Sequence, residues 1–138
     1  MGINFNHIST LRVRYGETDQ MGYCYYGNYA QYFEVGRVEA MREVGMSYKS
    51  LEEKGVMLPV SEFKVKYKFP AKYDDLLSIA TEIVSLKGAR IVFYYTIYNE
   101  NDQLIAEAET TLVFVSKKTM RPIAPPKEFV EALADYSK

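Results

Sequence analysis

Between Tyr15 and Tyr29 the chain reads YGETDQMGYCYYGNY, its densest collection of groups able to do chemistry. Asp19 carries a carboxylate that is ionised at neutral pH without help from any other group. It could attack an electrophilic carbon or take a proton from water. Seven to nine residues later, Tyr26, Gly27 and Asn28 lead into a helical pattern. The N–H groups and positive dipole end of a helix start can stabilise a developing negative oxygen. On residue types alone, Asp19 also fits an ordinary Asx turn in TDQMG. The whole stretch reads either as aromatic core interrupted by a loop or as the wall of a pocket. Glu17 reads as a solvated loop charge, and Asn28 as a helix cap ahead of a substrate ligand. Cys24, the single cysteine, reads as a small apolar filler.

The rest of the composition narrows the chemistry. A single histidine, His7, sits near the N-terminus and leaves little room for a Ser-His-Asp triad or a zinc site. No metal or cofactor is therefore expected. The 138 residues fit one domain, spanning 1–138, with a hydrophobic fraction of 48% that argues for a packed core. A formal net charge of −1 gives no footprint for nucleic acid or an anionic membrane surface. No run approaches the roughly 20 apolar residues of a membrane span, and MGINFNHIST lacks the layout of a signal peptide. With one cysteine there is no intrachain disulfide, and a reducing, cytoplasmic setting is the expectation.

The elements that must position these groups follow from periodicity. His7 to Tyr15 alternates loosely as a strand. From Tyr29 the period becomes helical, with Tyr29, Phe33, Gly36, Ala40 and Val44 on one face. Asn28 with Gln31 suggests a capped start, and Arg42 with Gly45 a stop. A short helix is expected over Tyr48 to Glu53. In EFKVKYKF, Phe63, Val65, Tyr67 and Phe69 alternate with Glu62, Lys64, Lys66 and Lys68, which predicts a strand with one dry and one wet face. Leu76 to Leu86 alternates again. Ile91 to Tyr98 has almost no polar side and is expected to be central and covered on both faces. NEND at Asn99 to Asp102 predicts a hairpin turn, Leu104 to Val115 another strand, and Phe129 to Tyr136 a short amphipathic segment. A run of hairpins around one long helix predicts an α+β domain, an antiparallel curled sheet of about five strands wrapped around that helix. Such a sheet is short of cover, so at least a dimer is expected.

The run YGETDQMGYCYYGNYAQYFEVGR resembles the signature of the 4-hydroxybenzoyl-CoA thioesterase-like hotdog family. That signature is an aromatic residue, Thr-Asp or Cys-Asp, a nearby Gly, a hydrophobic pair, Tyr or Trp, His or Tyr, and Asn-Tyr opening the long helix. Here these are Tyr15, Thr18-Asp19, Gly22, Tyr23-Cys24, Tyr25, Tyr26 and Asn28-Tyr29. The likeness continues through YDDLLSIATEI and AEAETTLVFVSKKTMRPIAPP, and so covers nearly the whole chain. It implies hydrolysis of an acyl-CoA thioester, with Asp19 as nucleophile or general base and the Tyr26 backbone N–H as leading oxyanion donor. Many relatives carry His where this chain has Tyr26, which puts any side-chain role there in doubt but leaves the backbone role intact. Tyr25, Gly27 and Asn28 fall in the implied substrate region. The implied CoA-binding turn maps to Lys87, Gly88 and Arg90, where a solvated turn is the competing reading; Lys117 and Lys118 are weaker candidates. Tyr94, Tyr95 and Tyr98 read as core or interface, or as walls of an acyl pocket. The resemblance further implies a homodimer or homotetramer with a shared site. An enzyme acting on acyl groups held by acyl carrier protein and a non-catalytic acyl-binding module remain the alternatives. A hydratase would want Asp and His together, and His7 is poorly placed for that.

Overall fold

The computed structural model describes residues 1–138. Strand β1 (Gly2–Arg12) leads through two 3₁₀ turns (Tyr15–Glu17 and Tyr26–Asn28) into the long helix α1 (Tyr29–Val44) and the short α2 (Tyr48–Glu53). Strands β2 (Val56–Met57), β3 (Val60–Tyr67), β4 (Leu76–Lys87), β5 (Arg90–Tyr98), β6 (Leu104–Val113) and β7 (Val115–Ser116) follow, and α3 (Lys127–Ala134) closes the chain. Five strands form one antiparallel sheet in the order β1-β4-β5-β6-β3, while β2 and β7 make a two-residue ladder beside it. The α+β arrangement of a curled five-stranded sheet around one long helix is therefore the one the sequence predicts. No helix is long and apolar enough to cross a membrane.

Helix α1 lies over β1, β4 and β5. Its inner face carries Tyr29, Tyr32, Phe33, Gly36, Arg37, Ala40 and Met41. The sheet answers with Leu77, Ile79, Thr81 and Ile83 of β4, and Ile91, Phe93, Tyr95 and Ile97 of β5, all buried on alternate residues. The closest approach is at Gly36. A Cβ there would sit 2.4 Å from Thr81 Oγ1 and 2.8 Å from Ile79 Cγ2, closer than carbon tolerates. Only glycine lets the helix lie this near the sheet. Arg37 is only 7% exposed, and its guanidinium donates to the hydroxyls of Tyr48 (2.8 Å) and Tyr95 (3.3 Å). The Tyr95 hydroxyl also pairs with Thr110 Oγ1 at 2.5 Å.

Three expectations need correction. The first strand begins at Gly2, because the backbone pairs with β4 and with the C-terminal residues Tyr136 and Lys138, a tertiary tie with no local signal. The row Phe63, Val65, Tyr67, Phe69 is not dry within one chain: Phe63, Tyr67 and Phe69 are 40%, 49% and 41% exposed. The cause is topology, since β3 is an edge strand and α1 sits over the opposite half of the sheet. Strand β5 is central, as expected, but only one face is covered; Val92, Tyr94 and Thr96 are half-buried and Tyr98 is exposed.

Candidate active site

Asp19 stands in the loop between β1 and α1, held in the turn its sequence suggests. Its Oδ1 accepts the backbone N–H groups of Met21 (2.9 Å) and Tyr23 (3.3 Å), and its own N–H donates to the Tyr23 carbonyl at 2.8 Å. Its Oδ2 accepts no hydrogen bond from the chain. One carboxylate oxygen thus fixes the loop while the other keeps no partner in the chain. The loop is tied down further by the Cys24 N–H to the Ala71 carbonyl (2.7 Å) and by a bridge between Tyr23 and Lys72.

The turn Tyr26–Asn28 runs directly into α1. Among its amides, the Asn28 N–H bonds the Tyr25 carbonyl, whereas those of Tyr26 and Gly27 meet no acceptor in the chain. These are the orphan donors that a helix start leaves for a partner. A Cβ at Gly27 would lie 2.7 Å from Cε2 of the exposed Tyr25 ring, which folds over the turn and would have to swing aside. That ring also packs on Tyr26, with centroids 4.7 Å apart.

Asp19 and Tyr26 line one open cleft of about 370 Å³, shared with Tyr23, Tyr29, Tyr67 and Phe69. The Tyr67 hydroxyl donates to the Tyr26 carbonyl at 3.4 Å, joining β3 to the turn. Burial pushes the Tyr29 phenol up to about 12, so it stays a neutral hydrogen-bonding wall at any working pH. The cleft is mainly apolar and aromatic with one carboxylate in it, a composition suited to an acyl group with a single reactive centre.

Two expectations about this stretch change. Asn28 does not cap α1; its Nδ2 donates instead to the Glu17 carbonyl at 2.8 Å. The 3₁₀ turn ahead of α1 already puts Asn28 in helical dihedrals, which removes the extended geometry that a cap needs. Glu17 is no solvated charge, for its side chain is only 12% exposed. Its Oε1 accepts the Arg14 N–H (2.8 Å) and the Tyr32 hydroxyl (2.9 Å). Burial works against the Glu17 charge, yet these donors and the Arg14 guanidinium hold its carboxyl below the usual range. The missed signal was Tyr32, which faces the loop from one turn inside α1. Cys24 is a buried filler, as expected; burial raises its thiol pKa, and Sγ lies 3.4 Å from the Tyr32 hydroxyl.

Lys87, Gly88 and Arg90 form the β4–β5 hairpin, with Gly88 at φ +59° and Lys87 opposite Arg90. Within one chain they do not join the cleft. Strand β4 starts beside the Asp19 loop, where the Val13 N–H bonds the Asp75 carbonyl, and ends at Lys87, roughly 36 Å further along. Lys117 and Lys118 follow β7, also apart from the cleft. His7 is half-buried in β1 opposite Thr81 and takes no part in the cleft.

Comparison with known proteins agrees with this architecture. Residues 13–133 match the model of the thioesterase-like superfamily. The chain is 36% identical over 134 residues to the putative acyl-CoA thioesterase YneP of Bacillus subtilis, covering 96% of this chain and 97% of that one. It is 38% identical over 120 residues to the acyl-CoA thioester hydrolase YbgC of Escherichia coli, covering 87% and 90%. Among solved structures, a DHNA-CoA thioesterase from Staphylococcus aureus superposes with a TM-score of 0.91 at 32% identity, covering 95% of this chain and 90% of that one. The chain belongs to the thioesterase-like superfamily and has its hotdog fold.

Proposed function

We propose that this member of the thioesterase-like superfamily hydrolyses acyl-CoA thioesters to free acid and CoA, with the Asp19 carboxylate as the catalytic group. The observation that carries the reading is the meeting, on one apolar cleft, of Asp19 with a free Oδ2 and the Tyr26 turn with unbonded amides. Two routes fit. Oδ2 attacks the thioester carbon, expelling CoA thiolate and leaving a mixed anhydride that water opens. Alternatively, Oδ2 takes a proton from water, whose oxygen attacks the same carbon. In both the C–S bond breaks and a proton ends on the thiol sulfur. The Tyr26 N–H, with Gly27 beside it, stabilises the oxyanion that forms on the carbonyl oxygen. Close relatives named as acyl-CoA thioester hydrolases support this substrate class.

The coenzyme end of the substrate requires a second chain. Strand β3 has a free edge and exposed Val60, Phe63 and Tyr67, which invites pairing with a copy of itself. A two-fold antiparallel pairing sets the Val60 end of one β3 beside the Tyr67 end of the other. The Val60 end is level with Leu112, Ile91 and Leu86, hence with the Lys87–Arg90 hairpin. The partner's hairpin is thereby carried toward this chain's Asp19 cleft, where its cations and the Gly88 turn can meet the phosphates of CoA. Tyr25 and Asn28 do not line the cleft of one chain, and Asn28 lies instead in the recess beside Glu17. A tetramer of two such dimers uses the half-covered outer face of β5. An acyl carrier protein is a poorer fit, since an acidic partner wants a basic surface. Lys64 and Lys68 on the nearby face are matched by Glu62 and Glu107.

The test is thiol release across short, long, branched and aryl acyl-CoAs, with Asp19→Asn in parallel. Activity on at least one series, lowered by about a hundredfold or more in the variant, is the expected outcome. No thiol release from any acyl-CoA, with acyl binding intact, would point to a non-catalytic module.

A further inference from the structure

The most heavily bonded residue in the loop is not Asp19 but Glu17, two positions earlier. Its backbone N–H donates to the Arg14 carbonyl (2.9 Å), and its carbonyl accepts both the Tyr25 N–H (2.8 Å) and Asn28 Nδ2 (2.8 Å). Its carboxylate accepts the Arg14 N–H, the Arg14 guanidinium at 3.4 Å and the Tyr32 hydroxyl. One residue thus joins the end of β1, the Tyr26 turn and the body of α1. A buried carboxylate in a loop costs free energy unless it is fully hydrogen-bonded, and here the bonds run to the segments that flank the cleft. Glu17 lines a polar recess with Arg14, Gly16, Asn28 and Gln31 and is not among the residues of the Asp19 cleft. It therefore has no contact with the cleft and acts through the backbone it holds.

We infer that Glu17 is a positioning residue, which sets the register between the Asp19 loop and the oxyanion-binding amides of the Tyr26 turn by clamping both to Tyr32. This rests on the reading of Asp19 as the catalytic group. Apart from Glu17, the loop reaches α1 through the weak Cys24 Sγ contact to Tyr32 and indirectly through Ala71, whose carbonyl accepts the Cys24 N–H and whose own N–H donates to the Tyr29 hydroxyl at 3.4 Å. Loss of the carboxylate leaves the Glu17 carbonyl bonds to Tyr25 and Asn28 in place but frees the loop from Tyr32 and the body of α1, so that the Asp19 carboxylate shifts relative to the amides at the helix start. A displacement near 1 Å between reacting groups lowers turnover by about a hundredfold.

Four variants test this against the parent: Glu17→Ala, Glu17→Gln, Tyr32→Phe and the double variant Glu17→Ala/Tyr32→Phe, with Asp19→Asn as a reference. For each, kcat, KM and the thermal midpoint are measured on the best acyl-CoA substrate. Glu17→Ala is expected to lower kcat by roughly 10- to 100-fold with KM within about threefold. Glu17→Gln, which keeps an acceptor oxygen for Tyr32 and the Arg14 N–H, is expected within about threefold of the parent. Tyr32→Phe lowers kcat in the same direction, and the double variant is no worse than Glu17→Ala alone, because both remove one clamp. An unchanged kcat with a lower melting point would overturn the inference in favour of a purely structural role. A rise in KM alone, or Glu17→Gln as damaged as Glu17→Ala, would overturn it in favour of substrate binding or acid–base work. Should Glu17→Ala fail to fold, Tyr32→Phe decides, since it leaves the carboxylate and cuts only the tie to α1. An active Asp19→Asn would instead sink the underlying assignment of Asp19, a result distinct from any of these.

Discussion

The two halves of the sheet are built to different specifications. Under α1, strands β1, β4 and β5 pack so closely that Gly36 has no room for a methyl group, and β4 and β5 bury every alternate side chain. Toward β3 the same sheet leaves Phe63, Tyr67 and Phe69 at 40–49% exposure, and Tyr67 and Phe69 line the cleft that holds Asp19. In the open half lie the unbonded amides of Tyr26 and Gly27 and the free Oδ2 of Asp19. Apolar surface left uncovered beside unsatisfied polar groups marks a place for a partner or a substrate. The closed half makes the fold, and the open half carries the proposed site.

Substitutions should therefore separate stability from activity along this divide. The largest effect is expected at Asp19→Asn, at least about a hundredfold in kcat/KM with an unchanged melting point, measured by thiol release and thermal unfolding. Next comes the open edge: Phe63→Glu places a charge where β3 would pair, and is expected to give a folded species of one-chain mass, 15.9 kDa, by light scattering, with thioester hydrolysis lost. A variant that stays dimeric and active would detach β3 from assembly. In the closed half, Gly36→Ala forces a carbon against Thr81 and Ile79 and should cost roughly 1–3 kcal/mol in denaturant unfolding, while each folded molecule keeps near-parental activity. Tyr26→Phe is the mildest change to the site, within about tenfold of parental activity, because the proposed donor is the backbone amide. A loss as large as that of Asp19→Asn would bring the phenol into the chemistry. Smallest is a pH effect on stability. The Glu17 carboxyl lies below its ordinary 4.5 in the folded chain, so it contributes stability above that value, lost as pH falls through the folded value. Unfolding curves of Glu17→Gln should be flatter than the parent's across that acid range.

The closed half was the more legible in sequence. Alternation in β4 and the helical face of Tyr29, Phe33, Gly36 and Ala40 report burial directly, since each side chain repeats its environment at the period of its element. The open half was read through composition and resemblance, and most misreadings of the site fall there, although the start of β1 and the cover of β5 were misread in the closed half. The dryness of Phe63 and Tyr67 was inferred from a correct alternation, but the cover depends on which strand α1 crosses, a tertiary fact. Asn28 carries a cap's residue type, and its side chain was drawn instead to the Glu17 carbonyl by a loop that folds back across eleven residues. Glu17 looks like any loop acid until Tyr32 is seen to reach it. Lys87 and Arg90 stand apart from the cleft of one chain, so the CoA-binding role expected of them rests on a second copy, which sequence alone does not place.

On the proposed reading the open half becomes a working site only when a second chain faces it, with Asp19 from one copy and the Lys87–Arg90 hairpin from the other. Mixing two variants tests it directly: Asp19→Asn, and Lys87→Glu combined with Arg90→Glu, each assayed alone and again after subunit exchange. Each is expected to be nearly inactive by itself, whereas exchange creates mixed dimers in which one of the two sites has both its parts intact. Recovery to about a quarter of parental activity per chain is predicted, from half the dimers being mixed and one site in each working. Exchanged mixtures no more active than the two variants apart would contradict the shared site.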